Sequence, residues 1–147
     1  KYWISTKTLI QNVSNKSTKK SRFVIYGVLS AIFLILHSIF LGVSFDHDLY
    51  KFFRRFVLLA FIIFEIVAQI LLVITLIKIK NIVSDIINKN ILTIKIFLVS
   101  LLTITALASL PFLTSSGYTH FKHALEWNYF IGIVLFYLLT FFFWRKA

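Results

Sequence analysis

The stretch FVLLAFIIFEIVAQILLVITLI, residues 56–77, is a nearly unbroken apolar run interrupted by one acid, Glu65, and one amide, Gln69. At a helical rise of about 1.5 Å per residue it reaches roughly 33 Å, enough to cross the ~30 Å hydrocarbon core of a bilayer. A helix apolar on every side belongs inside a large core or inside a membrane.

Three further runs of the same kind flank it, at residues 23–43, 91–113 and 127–144. Four such helices in 147 residues leave no polar shell to cover them. Hydrophobic residues make up 59% of the chain and charged residues 14%, and mean hydropathy is +0.89. Soluble domains carry about 45–50% apolar and about 25% charged residues. The expectation is therefore an all-α, multi-pass integral membrane protein: a four-transmembrane-helix bundle over residues 23–144. A basic juxtamembrane segment at 1–22 precedes it and a basic tail at 145–147 follows. The apolar surplus excludes disorder. Four Gly and one Pro exclude collagen-like and linker sequences, and zero Cys excludes disulfide scaffolds, thiolate metal sites and thiol nucleophiles. Met is absent, position 1 included, which points to a processed or trimmed chain.

The basic residues set an orientation. Twelve (Lys1, Lys7, Lys16, Lys19, Lys20, Arg22, Lys78, Lys80, Lys89, Lys95, Arg145 and Lys146) fall on the side that holds both ends. Four fall opposite: Lys51, Arg54, Arg55 and Lys122. The positive-inside rule then places both termini on the cytoplasmic side. The net charge of +11 reads as a topology signal and an anionic-lipid contact. No nucleic-acid partner is expected, because no soluble module carries a basic face. Trp127 and Trp144 bracket the fourth run, with Tyr129 and Tyr137 nearby, as interfacial anchors would.

Outside the runs, residues 14–22 read as a flexible basic stretch close to lipid headgroups, and Tyr2, Trp3, Ile4, Leu9, Ile10 and Val13 before it, though irregularly spaced, read as candidates to lie in the interface. Between the second and third runs, Ile79, Ile82, Val83, Ile86 and Ile87 form an i, i+3, i+4, i+7, i+8 stripe. That pattern predicts an amphipathic continuation of the second span packing on its neighbour, with an interfacial amphipathic helix or a partner surface as the alternative. Tyr50-x-x-Phe53-Arg54-Arg55 and Tyr118-x-x-Phe121-Lys122-His123 are weak echoes that a duplicated hairpin would produce. Pro111 predicts a kink or an end to the third span. Ser38, Ser100, Ser109, Thr103 and Thr105 read as small residues for close helix packing.

Polar side chains in hydrocarbon require a partner or a purpose. Glu65 lies nine residues past Phe56, about 13 Å below the outer interface. Leaving it ionised there costs on the order of 3 kcal/mol, so protonation, pairing or a hydrated cavity is expected. Gln69 shares its face one turn on. His37 lies six residues before Val43, about 9 Å deep, which places it within hydrogen-bonding reach of Glu65 if the two spans are antiparallel. The candidate catalytic residues are thus His37, Glu65 and Gln69. An interhelical polar contact worth about 0.6 kcal/mol is the competing structural explanation.

The outer rim gathers His47, between Asp46 and Asp48, and then His120, His123 and Glu126 at i, i+3, i+6. Imidazole and carboxylate together suit a divalent metal such as zinc or iron, which makes these four the candidate metal ligands. A bis-imidazole haem is disfavoured, because only His37 lies well inside the apolar region. Nucleophile elbows, phosphate-cradling glycine loops and zincin motifs are all absent from the sequence.

Tyr118 followed by His123-Ala124-Leu125-Glu126-Trp127, and Val43-Ser44 with Asp46 and Asp48 in the first outer loop, resemble the last hairpins of the DRAM-like membrane protein family. That family includes autophagy modulators and proteins implicated in GPI-anchor lipid remodelling. The resemblance covers residues 23–144 as the final four of the family's five or six spans, and implies a polytopic membrane protein. The chain departs from the pattern in its length, in His37 where an acid–amide pair is expected, and in Pro111-Phe112-Leu113 where polar and basic residues are expected.

The composition favours a non-enzymatic role: binding membrane lipids, or packing as an accessory subunit beside other membrane subunits. The alternative is an enzyme acting on a lipid or quinone headgroup through His37, Glu65, His120, His123 and Glu126. A proton- or ion-coupled carrier using Glu65 and Gln69 is the third reading.

Overall fold

A computed structural model describes residues 1–14, 21–42, 48–79, 87–114 and 119–144. They form five helices in chain order: α1 (Tyr2–Ser14), α2 (Arg22–Leu41), α3 (Asp48–Ile79), α4 (Lys89–Thr114) and α5 (Thr119–Phe143). Four stretches are long and apolar enough to cross a membrane: Arg22–Phe40, Phe52–Ile79, Lys89–Ser109 and Ala124–Phe143. Where the surroundings offer no water, the backbone satisfies its polar groups within each segment, and these Ile- and Phe-rich stretches become helices despite modest intrinsic propensity.

The ends differ from the expected spans. Helix α3 starts at Asp48, eight residues before Phe56, because a helix does not stop where hydropathy does. Helix α4 runs three residues past Pro111 to Thr114, so the proline does not end it.

The chain divides into two compact units, Lys1–Thr75 and Leu76–Ala147. In the first, α1 packs on α2. Trp3, Thr6 and Ile10, spaced i, i+3, i+7, are its buried residues. The Trp3 indole lies directly over Gly27, where an added Cβ would sit 2.4 Å from the ring, and beside Phe23 at a centroid distance of 6.2 Å. The sequence before the first span thus contains a packed helix that its irregular apolar spacing did not predict. Its regular period was hidden because the buried face recruits Thr6 and leaves Ile4 outside. Residues 15–20 lie outside the described residues.

Helices α2 and α3 run antiparallel, with aromatic side chains filling the space between them. Phe33 stacks on Phe64 at 5.4 Å, Tyr26 on Phe64 at 6.2 Å, and Phe40 meets Phe53 edge-on at 5.1 Å. The Tyr50 hydroxyl donates to the Phe40 carbonyl. On α3, Val57, Phe61, Glu65, Ala68 and Leu72 form one buried stripe.

The second unit is built on α4 packed against α5, also antiparallel. The chain entering α4 and the chain leaving α5 are joined by an antiparallel bridge, Ile87 to Trp144, and by a 3.0 Å bond from the Asn88 N–H to the Phe143 carbonyl. Asn88 caps α4, its Oδ1 accepting from the Asn90 N–H at 3.1 Å. The predicted amphipathic helix therefore does not extend through Ile87 and Asn88, whose backbone is engaged with α5. Its residues 80–86 lie outside the described residues. Midway along the pair, Gly132 admits the Leu102 side chain, and an added Cβ would meet Leu102 Cδ2 at 2.5 Å.

Four hydroxyls within the apolar helices bond to the backbone of their own helix. Ser38 donates to the Leu34 carbonyl at 3.0 Å, Thr75 to Leu71 at 2.7 Å, Thr103 to Val99 at 2.7 Å and Ser109 to Ala106 at 2.8 Å. Ser38 and Ser100 are exposed, so they do not serve close packing as expected, whereas Ser109 is buried.

Candidate functional site

Among the described residues, each unit buries one carboxyl or amine side chain inside its apolar helices. In the first it is Glu65, only 1% exposed and at the middle of the Phe52–Ile79 span. The Ser30 hydroxyl, near the middle of Arg22–Phe40, donates to Glu65 Oε2 at 2.5 Å. Gln69 Nε2 donates to Oε1 at 3.0 Å. Both partners are buried as well. The expected Glu65–Gln69 stripe is present and acquires a partner on the neighbouring helix.

The depth estimate pointed to His37, whereas the structure shows Ser30 in this position. Ser30, seven residues before His37 on α2, is bonded to Glu65. The depth estimate assumed that the two helices end at Val43 and Phe56. Because α3 begins at Asp48 and is keyed by Tyr50 and Phe53 against Phe40, the register slides and carries Glu65 toward the first half of α2. His37 is half-buried near the other end of α2.

A serine hydroxyl donates and accepts, so the Ser30–Glu65 contact can persist whether the carboxyl is charged or neutral. The cluster can therefore lock helix register, hold a proton, or do both.

In the second unit the buried group is Lys95, also 1% exposed. Its Nζ donates to Thr140 Oγ1 at 2.6 Å, and Thr140 passes the chain of bonds to the Phe136 carbonyl at 3.1 Å. The same nitrogen lies 4.3 Å from the Phe136 ring centroid and 5.3 Å from that of Phe143. The aromatic faces attract the cation, and the C-terminal end of α5 favours positive charge. Lys95 is thus no loop charge, although it counted toward the cytoplasmic bias. The sequence held the signal: Lys95 lies four residues inside the third expected span and Thr140 four residues inside the fourth, at matching depth.

Tyr129, expected as an interfacial anchor, is buried with its hydroxyl donating to the Leu102 carbonyl at 2.5 Å. Trp127 is 67% exposed, which suits the anchor reading.

Of the four expected metal ligands, His120 and Glu126 are among the described residues, which contain no group of three His or acidic side chains able to hold a metal. His120 is exposed and Glu126 half-buried. His47, like Asp46 and Tyr118, lies outside the described residues, and so does the side chain of His123.

Compared with known protein families, curated proteins and solved structures, the chain matches none.

Proposed function

We propose that the protein is a four-span integral membrane protein without catalytic chemistry of its own, acting by binding lipid and packing beside other membrane subunits, with both ends of the four-span region cytoplasmic. The observation that carries this reading is the sorting of side chains. Glu65 and Lys95 face inward and are hydrogen-bonded, whereas the exposed residues along the middle of the helices are mostly large and apolar, with single hydroxyls such as Ser38 and Ser100 between them. Ile25, Val28, Ile32, Ile35 and Ile39 line the exposed side of α2, and Ile94, Phe97, Leu101, Ile104 and Leu107 that of α4. Patches of this extent are abnormal against water and ordinary against acyl chains or partner helices.

A second reading rests on Glu65 alone. A carboxyl at mid-span on a core-facing stripe, with hydroxyl and amide partners, is the composition of a proton relay. Four helices would have to oligomerise to enclose a path.

Because the chain has no cysteine, single cysteines report cleanly on topology. In sealed vesicles, Ser5→Cys and Asn90→Cys should react with an impermeant maleimide from one side, and Leu49→Cys and His120→Cys from the other. Labelling of all four from one side would overturn the four-span reading. Isolation in mild detergent as a lone monomer would remove the subunit part, and retained transport in Glu65→Gln would end the relay reading.

A further inference from the structure

We propose that α1 is an interfacial helix whose outward face, together with Arg22, docks on an anionic bilayer surface. The proposal rests on the membrane reading above and names the lipid class.

Unlike the four apolar helices, α1 is polar on the outside. Lys1, Ser5, Thr8 and Asn12 are exposed opposite the buried Trp3, Thr6 and Ile10, and Ile4 is the exposed large aliphatic among them. Such a face is excluded from hydrocarbon. The buried face fixes its height. Trp3 sits over Gly27, five residues beyond Arg22, hence about 7–8 Å along the axis from the charged start of the span. Interfacial helices bury their apolar side to about 5–10 Å, so the two depths agree. Helix α1 is thereby held at headgroup level instead of being free to leave it.

Charge selects the lipid. No acidic residue precedes Asp46, while among the described residues at the two helices Lys1 and Arg22 are exposed and Lys7 is half-buried. A surface with only positive charge, pinned at headgroup height, is complementary to an anionic leaflet.

The test uses the full chain in nanodiscs of equal phosphatidylglycerol and phosphatidylcholine, with bound lipids counted by native mass spectrometry after release. The expected result is preferential retention of phosphatidylglycerol that falls with salt. It should drop at least about fivefold in Lys1→Gln/Lys7→Gln/Arg22→Gln. Arg54→Gln/Arg55→Gln, at the opposite end of α3, should leave it unchanged. Gly27→Leu, which keeps every charge but evicts Trp3, should also lower it. Should Gly27→Leu misfold, Trp3→Ala serves the same purpose. Equal retention of the two lipids by the wild type, or equal loss in the Arg54/Arg55 variant, overturns the proposal. So does displacement by inorganic phosphate beyond that by chloride at matched ionic strength, which marks a phosphate pocket and not a bilayer surface. Resistance to alkaline carbonate extraction, measured in parallel, tests the membrane reading independently of lipid preference.

Discussion

Ser30 and Glu65 join α2 to α3 through a 2.5 Å hydrogen bond placed near the middle of both apolar spans. At that depth neither group has water to return to, so the bond specifies register more than it adds stability. Aromatic stacking between α2 and α3 tolerates sliding, and Tyr50 on Phe40 adds a polar fix at the far end of the pair.

Substitutions at Glu65 should therefore rank by what they leave unbonded. Glu65→Gln keeps an acceptor for Ser30, and Gln69 can rotate its amide to meet the new one, so a change within about 1 kcal/mol is expected. Glu65→Ala removes both acceptors and opens a cavity, for a loss of about 2–4 kcal/mol. Reversible unfolding in mixed micelles, with labels on introduced cysteines, measures both. If Glu65→Ala proves as stable as Glu65→Gln, the pair does not hold the helices in register.

Lys95 and Thr140 should behave as a coupled pair. Thr140→Val takes the oxygen acceptor from a buried amine and should cost about 1–3 kcal/mol. Lys95→Met preserves the stem between Phe136 and Phe143 and should be nearly neutral, since Thr140 still bonds the Phe136 carbonyl. The double variant should then recover most of the Thr140→Val loss. A double-mutant cycle reads the coupling, and strict additivity of the two changes would refute the pairing.

How far these features were legible from sequence depends on what each one needed. Four apolar helices required only composition and run length, and Glu65 with Gln69 required only helical spacing. The Glu65 partner required the register of two helices, which is fixed by where α3 begins. Hydropathy marks the apolar run at Phe56, but the helix extends back to Asp48, so counting depth from Phe56 pointed to His37 and away from Ser30. Lys95 was counted only as a topology signal, which a basic residue near the end of a span ordinarily is, so its buried bond to Thr140 went unforeseen. Only its depth match with Thr140 distinguished it. Helix α1 escaped notice because its buried face includes a threonine and a tryptophan that fits a glycine, and neither follows an aliphatic period.

Gly27 should be intolerant of even one methyl. Alanine there places Cβ 2.4 Å from the Trp3 indole, a rigid ring with little room to yield, and repacking of this kind costs about 1–3 kcal/mol. The higher helix propensity of alanine returns up to about 1 kcal/mol. Net destabilisation should be confined to α1, seen as faster proteolysis at its start with α2–α5 intact. Gly42→Ala, whose Cβ would meet nothing closer than 3.7 Å, is the control and should be silent. Equal protection of α1 in both variants would show that Trp3 does not depend on the notch.

Gly132 and Leu102 test the same principle between α4 and α5, with a different expected remedy. A Cβ on Gly132 meets Leu102 Cδ2 at 2.5 Å, but that atom ends a flexible side chain, so Gly132→Ala should cost less than Gly27→Ala. Leu102→Ala alone removes a buried side chain and should cost about 2–5 kcal/mol. Combined, the new methyl enters part of the space that Leu102 vacates, so the double variant should be more stable than the sum of the single changes predicts, by roughly 0.5–1 kcal/mol. The Tyr129 hydroxyl on the Leu102 carbonyl is made by backbone and should survive all three substitutions, keeping the helices in register while the side chains exchange volume. Unfolding energies of the three variants decide it: additive losses would mean that the close approach at Gly132 is not what brings α4 and α5 together.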